Sequence, residues 1–203
     1  METKKMDRRV RKTRMQLRIG LTQLMQQKPI KDITVRELAE LVDINRCTFY
    51  LHYRDIFDMV EQVENEVFTE FDALLSAHPP REVNKNPLPM LLDLFTYLSQ
   101  NASLYAAFLG KNGDIGFDNR LMGLIRKHLL ELWLTEWKLE EDRFAYFFSY
   151  IASGCIGLIR EWFRSGMRET PEEMAQLTKS MIVYGTSVPL SEDVMDPDVP
   201  LDS

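Results

Sequence analysis

Residues 34–53 read TVRELAELVDINRCTFYLHY. Thr34 stands where a helix N-cap belongs, with Glu37 three residues later as its capping-box partner. Val35, Leu38 and Leu41 follow as an apolar stripe at helical spacing. Asp43-Ile44-Asn45 interrupts that stripe. Asp and Asn tolerate left-handed backbone and compete with helix through local side-chain bonds, so a turn falls here. A second short helix is expected over about residues 45–52, crowded with groups that bond to DNA: Asn45, Arg46, Thr48, Tyr50 and His52. Two helices joined by a three- or four-residue turn make a helix-turn-helix, whose second helix lies in the major groove. Leu38, Ala39, Leu41, Ile44, Phe49 and Tyr53 are expected to build the small core that sets the angle between the helices.

The formal charge of the 203-residue chain is -6, which on its own argues against nucleic acid. Its distribution reverses the argument. Residues 1–54 hold 13 Lys and Arg against 6 Asp and Glu, whereas residues 55–203 hold 12 against 25. A basic head on an acidic remainder is the charge partition of a DNA-binding domain joined to a domain that does not bind DNA. Upstream of the motif, residues 8–27 form an amphipathic helix pattern. Its start carries Arg8, Arg9, Arg11, Lys12, Arg14 and Arg18, a run that beside a helix-turn-helix is expected to meet phosphates.

Downstream, Arg54-Asp55 opens a helix running to about Ser76, with Asp55 as its cap; it is longer than a small domain needs and reads as a bridge. The four prolines between His78 and Pro89 predict a loop. Helices are then expected over residues 90–100, 103–109, 116–137, 142–165 and from Thr170 onward. In the penultimate one, Phe144, Phe148, Ile151, Cys155, Leu158 and Trp162 line a stripe by alternating steps of four and three. Ala152, Ser153, Gly154 and Gly157 keep neighbouring faces small enough for another helix to approach. The last two helices are therefore expected to pair with their copies in a second subunit, through Ile151, Gly154, Cys155, Gly157, Leu158, Trp162, Met174, Leu177 and Met181. Residues 187–203 hold three prolines, five acids and no Lys or Arg, the composition of a disordered acidic tail.

The chain resembles the TetR/AcrR family of bacterial transcriptional regulators from Arg8 to about Thr186. The specific part is ITVRELAELVDINRCTFYLHYRDIFDMV, residues 33–60. Thr48-Phe49-Tyr50-Leu51-His52-Tyr53 is similar to the family's Thr-[Leu/Phe]-Tyr-x-[His/Tyr]-[Phe/Tyr] at every constrained position. LGKNGDIGFDNRL and YIASGCIGLIREWFRSGMRETPEEMAQ look like one large subgroup, including its Gly-x-x-x-x-Trp run at Gly157 to Trp162. Two positions depart: Asp43 stands where a turn glycine is common, and Ile56 where a phosphate-gripping lysine is usual, leaving that contact to Arg54 or to nothing.

The resemblance implies an all-α protein: a three-helix helix-turn-helix domain (residues 1–54), a helical regulatory, ligand-sensing and dimerisation domain (residues 55–186), and the acidic tail (residues 187–203). It implies a homodimer on palindromic double-stranded DNA, a repressor released by a small molecule, or a regulator or activator governed by a protein partner. The implied DNA-contact set is Thr34, Val35, Arg36, Asn45, Arg46, Thr48, Phe49, Tyr50, His52 and Arg54. Phe95, Tyr105, Phe108, Trp133, Phe147 and Phe148 are candidate pocket walls, most of them expected to be ordinary core. Cys47 and Cys155 have no CxxC spacing, and His52, His78 and His128 share no helical spacing, so neither a metal site nor a cofactor is expected. The charged N-terminus carries no secretory pattern, and the uncharged run 144–159 is shorter than the roughly 20 residues a bilayer span needs. A cytoplasmic, nucleoid-associated location is expected, without a membrane partner. No Walker loop, GxGxxG, HExxH or GxSxG is present, so no enzymatic activity is expected.

Overall fold

The computed structural model describes residues 8–110, 115–132, 134 and 141–185. Among these are ten α-helices and no strand. Val10, Leu17, Leu21, Leu24 and Met25 give α1 (Arg8–Gln27) its apolar face; all but Val10 are fully or nearly fully buried. After a 3-10 turn at Ile30–Asp32, pinned by buried Ile30 and Ile33, the helix-turn-helix begins. Thr34 caps α2 (Val35–Leu41), its hydroxyl accepting the Glu37 N–H at 3.2 Å. The Glu37 carboxylate does not return to Thr34; it takes the Lys28 ammonium. Asp43 adopts φ 53, the left-handed conformation the turn requires, and the Ile44 N–H closes on the Ala39 carbonyl at 3.0 Å. Asn45 caps the five-residue α3 (Arg46–Tyr50) by accepting the Cys47 N–H at 2.8 Å.

Leu38, Ala39, Phe49 and Tyr53 are the core of this head, with Ile44 half-buried. Leu41 is a correction: it is 47% exposed, at the rim of the α1–α2 contact. That contact is close because Gly20 has no side chain. A Cβ there would overlap Val42 Cγ1 and stand 2.9 Å from Leu38 Cδ1.

Asp55 caps α4 (Ile56–Ser76), accepting the Asp58 N–H at 2.8 Å. This helix buries Ile56, Met59, Val60, Val63, Val67 and Phe71 in one continuous core that reaches from Leu17 in α1 to Ala175 near the C-terminus. Arg14 clasps the junction. Its guanidinium donates to Tyr53 Oη (3.1 Å), Gln62 Oε1 (3.2 Å) and Glu66 Oε1 (3.0 Å), and lies 5.5 Å from the Tyr53 ring centre; Arg18 stands 3.6 Å from Glu66. Two members of the basic run therefore tie α1 to α4, correcting the expectation that the whole run meets phosphates.

The proline-rich stretch after His78 is not all loop. Pro80 takes the first turn of α5 (Pro80–Lys85), where its missing N–H costs nothing. The α6 helix (Leu88–Gln100) and α7 (Ala102–Phe108) follow; α7 lies along α1. The next helix, α8 (Ile115–Leu132), runs parallel to α4: Arg120 bonds Glu64 and Asn65, and Lys127 and His128 bond Asp72, an almost constant offset of 55 or 56 residues. Glu64 is buried, and Arg120, 2.9 Å away, also covers the Phe68 ring at 4.3 Å. The expected extension of this helix to residue 137 lies outside the described residues, as does the tail.

The hairpin of α9 (Glu141–Arg164) and α10 (Pro171–Gly185) closes the body, with α10 along α6. Gly166 (φ 82) and Met167 (φ 52) turn the chain, and the Met167 N–H satisfies the Trp162 carbonyl at 2.8 Å. Thr170 and Glu173 form a reciprocal capping box, at 3.2 and 2.8 Å.

Gly20→Leu overpacks the α1–α2 contact and is expected to cost about 1–3 kcal/mol in denaturant unfolding, with an unchanged m-value. Arg120→Met takes the guanidinium from the buried Glu64 carboxylate and is expected to cost roughly 2–3 kcal/mol, less than a fully buried pair because Arg120 is partly solvated. Adding Glu64→Gln should restore most of the loss; no recovery in the double variant would assign the cost to lost packing instead.

Candidate nucleic-acid interface

The α3 helix projects from a two-helix platform, and its exposed residues are the surface the head offers. Asn45, Arg46, Cys47 and Tyr50 are exposed, Thr48 and His52 half-buried. Among the described residues Arg46 makes no ion pair, so its guanidinium is available. Asn45 spends its Oδ1 on the cap, leaving its amide donors to face outward. At the entrance to α2, Thr34 and Arg36 are exposed and Val35 half-buried; Arg36 is held by Glu40 at 2.8 Å. Arg54 is held by Asp58 at 3.1 Å. Both cations must exchange a carboxylate for a phosphate to contact DNA.

Phe49 is a correction. It is fully buried, with its ring centre 5.5 Å from that of Tyr50 and 5.6 Å from that of Tyr53. It sets the angle of α3 and cannot touch a base. Partial burial, and then the Arg14 charge, lowers the His52 pKa, so its ring presents one donor and one acceptor at neutral pH. The Tyr53 phenol is raised by burial and stays neutral. Sequence reasoning passed over Leu51, which lies just past α3 and is 81% exposed. An apolar residue inside a polar recognition string was the available signal.

In the C-terminal body a cavity of about 290 Å³ opens between α4, α6, α8 and α9. Of the candidate walls, only Tyr105 lines it. Phe95 packs edge-on against Trp162 (5.4 Å), and Phe108 stacks on Phe117 (4.6 Å). Phe147 and Phe148 belong to a separate small cluster with Phe144, Ile151 and Ala152. Trp133 lies outside the described residues. The true walls are mostly aliphatic, such as Val67, Leu98, Leu121 and Ile156.

The expected dimer set divides by burial. Ile151, Trp162 and Met174 are buried within their own chain, Trp162 donating to the Glu169 carbonyl at 2.9 Å, so they are corrected to monomer core. Cys155 and Leu158 are half-buried, and burial pushes the Cys155 thiol up to about 11. Gly154, Gly157, Leu177 and Met181 are exposed, beside exposed Tyr150 and Tyr184. Tyr150, Gly154, Gly157 and Met181 line an open groove of about 350 Å³, with buried Thr178 among its other lining residues. The stripe was real, but its large residues turn inward with Ala152, and only Ser153, Gly154 and Gly157 of its small-residue neighbours face out.

Among the described residues no three His, Cys, Asp or Glu side chains gather as a metal site, and no helix is long and apolar enough to cross a membrane.

Residues 85–184 match a TetR-type family profile described as "Transcriptional regulator C-terminal region". No curated protein sequence matches significantly. Three solved structures share the fold. One is the fatty acid degradation regulator FadR from Bacillus halodurans (12% identity, TM-score 0.66, 86% of this chain and 96% of that one). Another is a TetR transcriptional regulator from Streptococcus agalactiae (20%, 0.59, 87% and 96%). The third is NalD, the secondary repressor of the MexAB-OprM multidrug efflux pump in Pseudomonas aeruginosa (14%, 0.60, 87% and 97%). The chain thus carries a capped helix-turn-helix, the all-helical fold of the TetR-type regulators, and over residues 85–184 the C-terminal region of a TetR-type transcriptional regulator.

Proposed function

We propose that the protein binds palindromic operator DNA as a homodimer and acts as a repressor that a small molecule releases, in a cytoplasmic, nucleoid-associated setting and without enzymatic activity. The exposed face of α3 carries the reading. Arg46 stands free at the start of that helix, and Tyr50 and neutral His52 follow along the same motif. The contact set proposed is Thr34, Val35, Arg36, Asn45, Arg46, Thr48, Tyr50, His52 and Arg54. Two recognition helices read half-sites one helical turn or a multiple apart, so any change in their separation weakens both contacts together.

The exposed α9–α10 face supports the dimer. Its glycines leave a groove that a second copy's α9–α10 hairpin would fill. The cavity supports release by a ligand over control by a protein partner, because it stands open. Its wall includes Val67, the residue after Glu66, which holds Arg14 and Arg18 of α1. Tyr105 is a second wall residue, on the helix that lies along α1. A ligand that binds better to a conformer with shifted α4 and α7 would shift the population by that difference in affinity and no more.

Sequencing the genomic DNA that the protein retains tests the operator reading: an inverted repeat supports it, and sequence-independent recovery would sink it. On the recovered site, Arg46→Ala is expected to cost about 1–3 kcal/mol of specific binding. Unchanged affinity removes Arg46 from the reading set. Gly157→Trp tests the dimer cleanly, because nothing in the monomer lies within 4 Å of a Cβ there. By sedimentation the variant should be a folded monomer where the parent is a dimer; a dimer retained at low micromolar concentration would reject this face.

A further inference from the structure

We propose that the cavity in the C-terminal body takes an uncharged, mostly hydrocarbon molecule with a hydroxyl or carbonyl at one end, and rejects anions. This rests on reading the body as a ligand sensor, and adds the chemistry of the ligand.

Shape is the first argument. The α4 lining runs from Val67 to Ser76, roughly 13 Å at 1.5 Å per residue. The inner end is closed by buried Leu98, Tyr105, Leu109 and Phe117. At the other end Ser76 and Glu131 are exposed and His78 and His128 half-buried. The slot thus has an apolar depth and one polar mouth, which suits a rod with a single polar end.

Charge is the second. No Lys or Arg is among the described lining residues. The lining carboxylate, Glu131, is exposed at the mouth. Each histidine at the mouth already faces an aspartate: His78 Nε2 lies 2.9 Å from Asp93, and His128 Nε2 lies 2.8 Å from Asp72. Lys127 is also bound to Asp72, whose pKa is lowered first by Lys127 and then by His128. A carboxylate or phosphate drawn into the slot would lose its hydration and find no spare cation. A cationic head is disfavoured in turn, because Asp72 and Asp93 already have their partners and Glu131 stands exposed in water at the rim, outside the apolar depth. The remaining polar atoms at the mouth, the Ser76 hydroxyl and the histidine rings, match a hydroxyl or carbonyl.

Calorimetric titration of the full chain with n-decanol, decanoate and decylamine, each below its micelle threshold at neutral pH, separates the cases. Decanol is expected to bind and raise the melting temperature, and decanoate to bind about tenfold more weakly or less. Leu129→Lys, which adds a cation to the cavity wall, is expected to reverse that preference. Decanoate or decylamine binding as tightly as decanol would overturn the uncharged class and leave the sensor reading standing. No binding by any of the three would overturn both.

Discussion

The apolar face of α4 is the constraint everything else obeys. It is the one surface that both the DNA-binding head and the regulatory body must cover. Ile56, Met59 and Val60 lie at its head end, Val67 and Phe71 at its body end, and one core runs unbroken between them. Each such side chain contributes about 1.5–3 kcal/mol when fully buried. The ion pairs along the same helix are partly solvated, and such pairs contribute about 0–1 kcal/mol each. Burial therefore supplies the stability, while Arg14, Arg18 and Glu66 choose the angle at which α1 meets α4. The division suits a regulator: the costly term is indifferent to small rotations, and the cheap term is sensitive to them.

Where the physics was local, the sequence was legible. The bounds of α1, the caps at Thr34, Asp55 and Thr170, and the left-handed Asp43 are decided by a few neighbouring residues. The capped turn and short helix of residues 43–50 were legible too, apart from Phe49, whose ring the core claims. Where the outcome depended on which side of a helix meets which neighbour, periodicity could not choose. The α9 stripe was found, but Ile151 and Trp162 turn inward and the glycine face outward. The aromatic candidates for the pocket failed for a related reason. Large flat rings pack best against one another, as Phe108 does on Phe117, and the space left over is walled by aliphatics from six helices. No spacing rule along one chain reports a void between several elements.

The charge partition needs a finer reading than a count. The head is basic, yet Arg14 and Arg18 are spent on Tyr53, Gln62 and Glu66, and Arg36 and Arg54 on acids of their own helices. Among the described residues Arg8, Arg11, Lys12, Lys31 and Arg46 remain exposed with no ion pair. Phosphate attraction from such a surface would steer the proposed binding to DNA without choosing a site. On the same proposal, choice would fall to the short α3 helix, whose aim depends on the buried Phe49 and on the close α1–α2 contact that Gly20 permits. Specificity would then be a packing property before a hydrogen-bonding one.

The same logic locates where the body can give. On the outside, α4 and α8 are stitched at Glu64, Asn65 and Asp72, two turns apart and in constant register. Helices tied that way resist sliding past one another, so a molecule between them and α9 finds it easier to tilt the pair than to shear it. Tilting α4 carries Glu66 with it, and Glu66 holds two arginines of α1. The clasp at Arg14 lies beside Tyr53, the last residue of the recognition string. A displacement that begins at Val67 therefore meets Tyr53, at the end of the proposed DNA-contact segment, after one ion pair and one hydrogen bond.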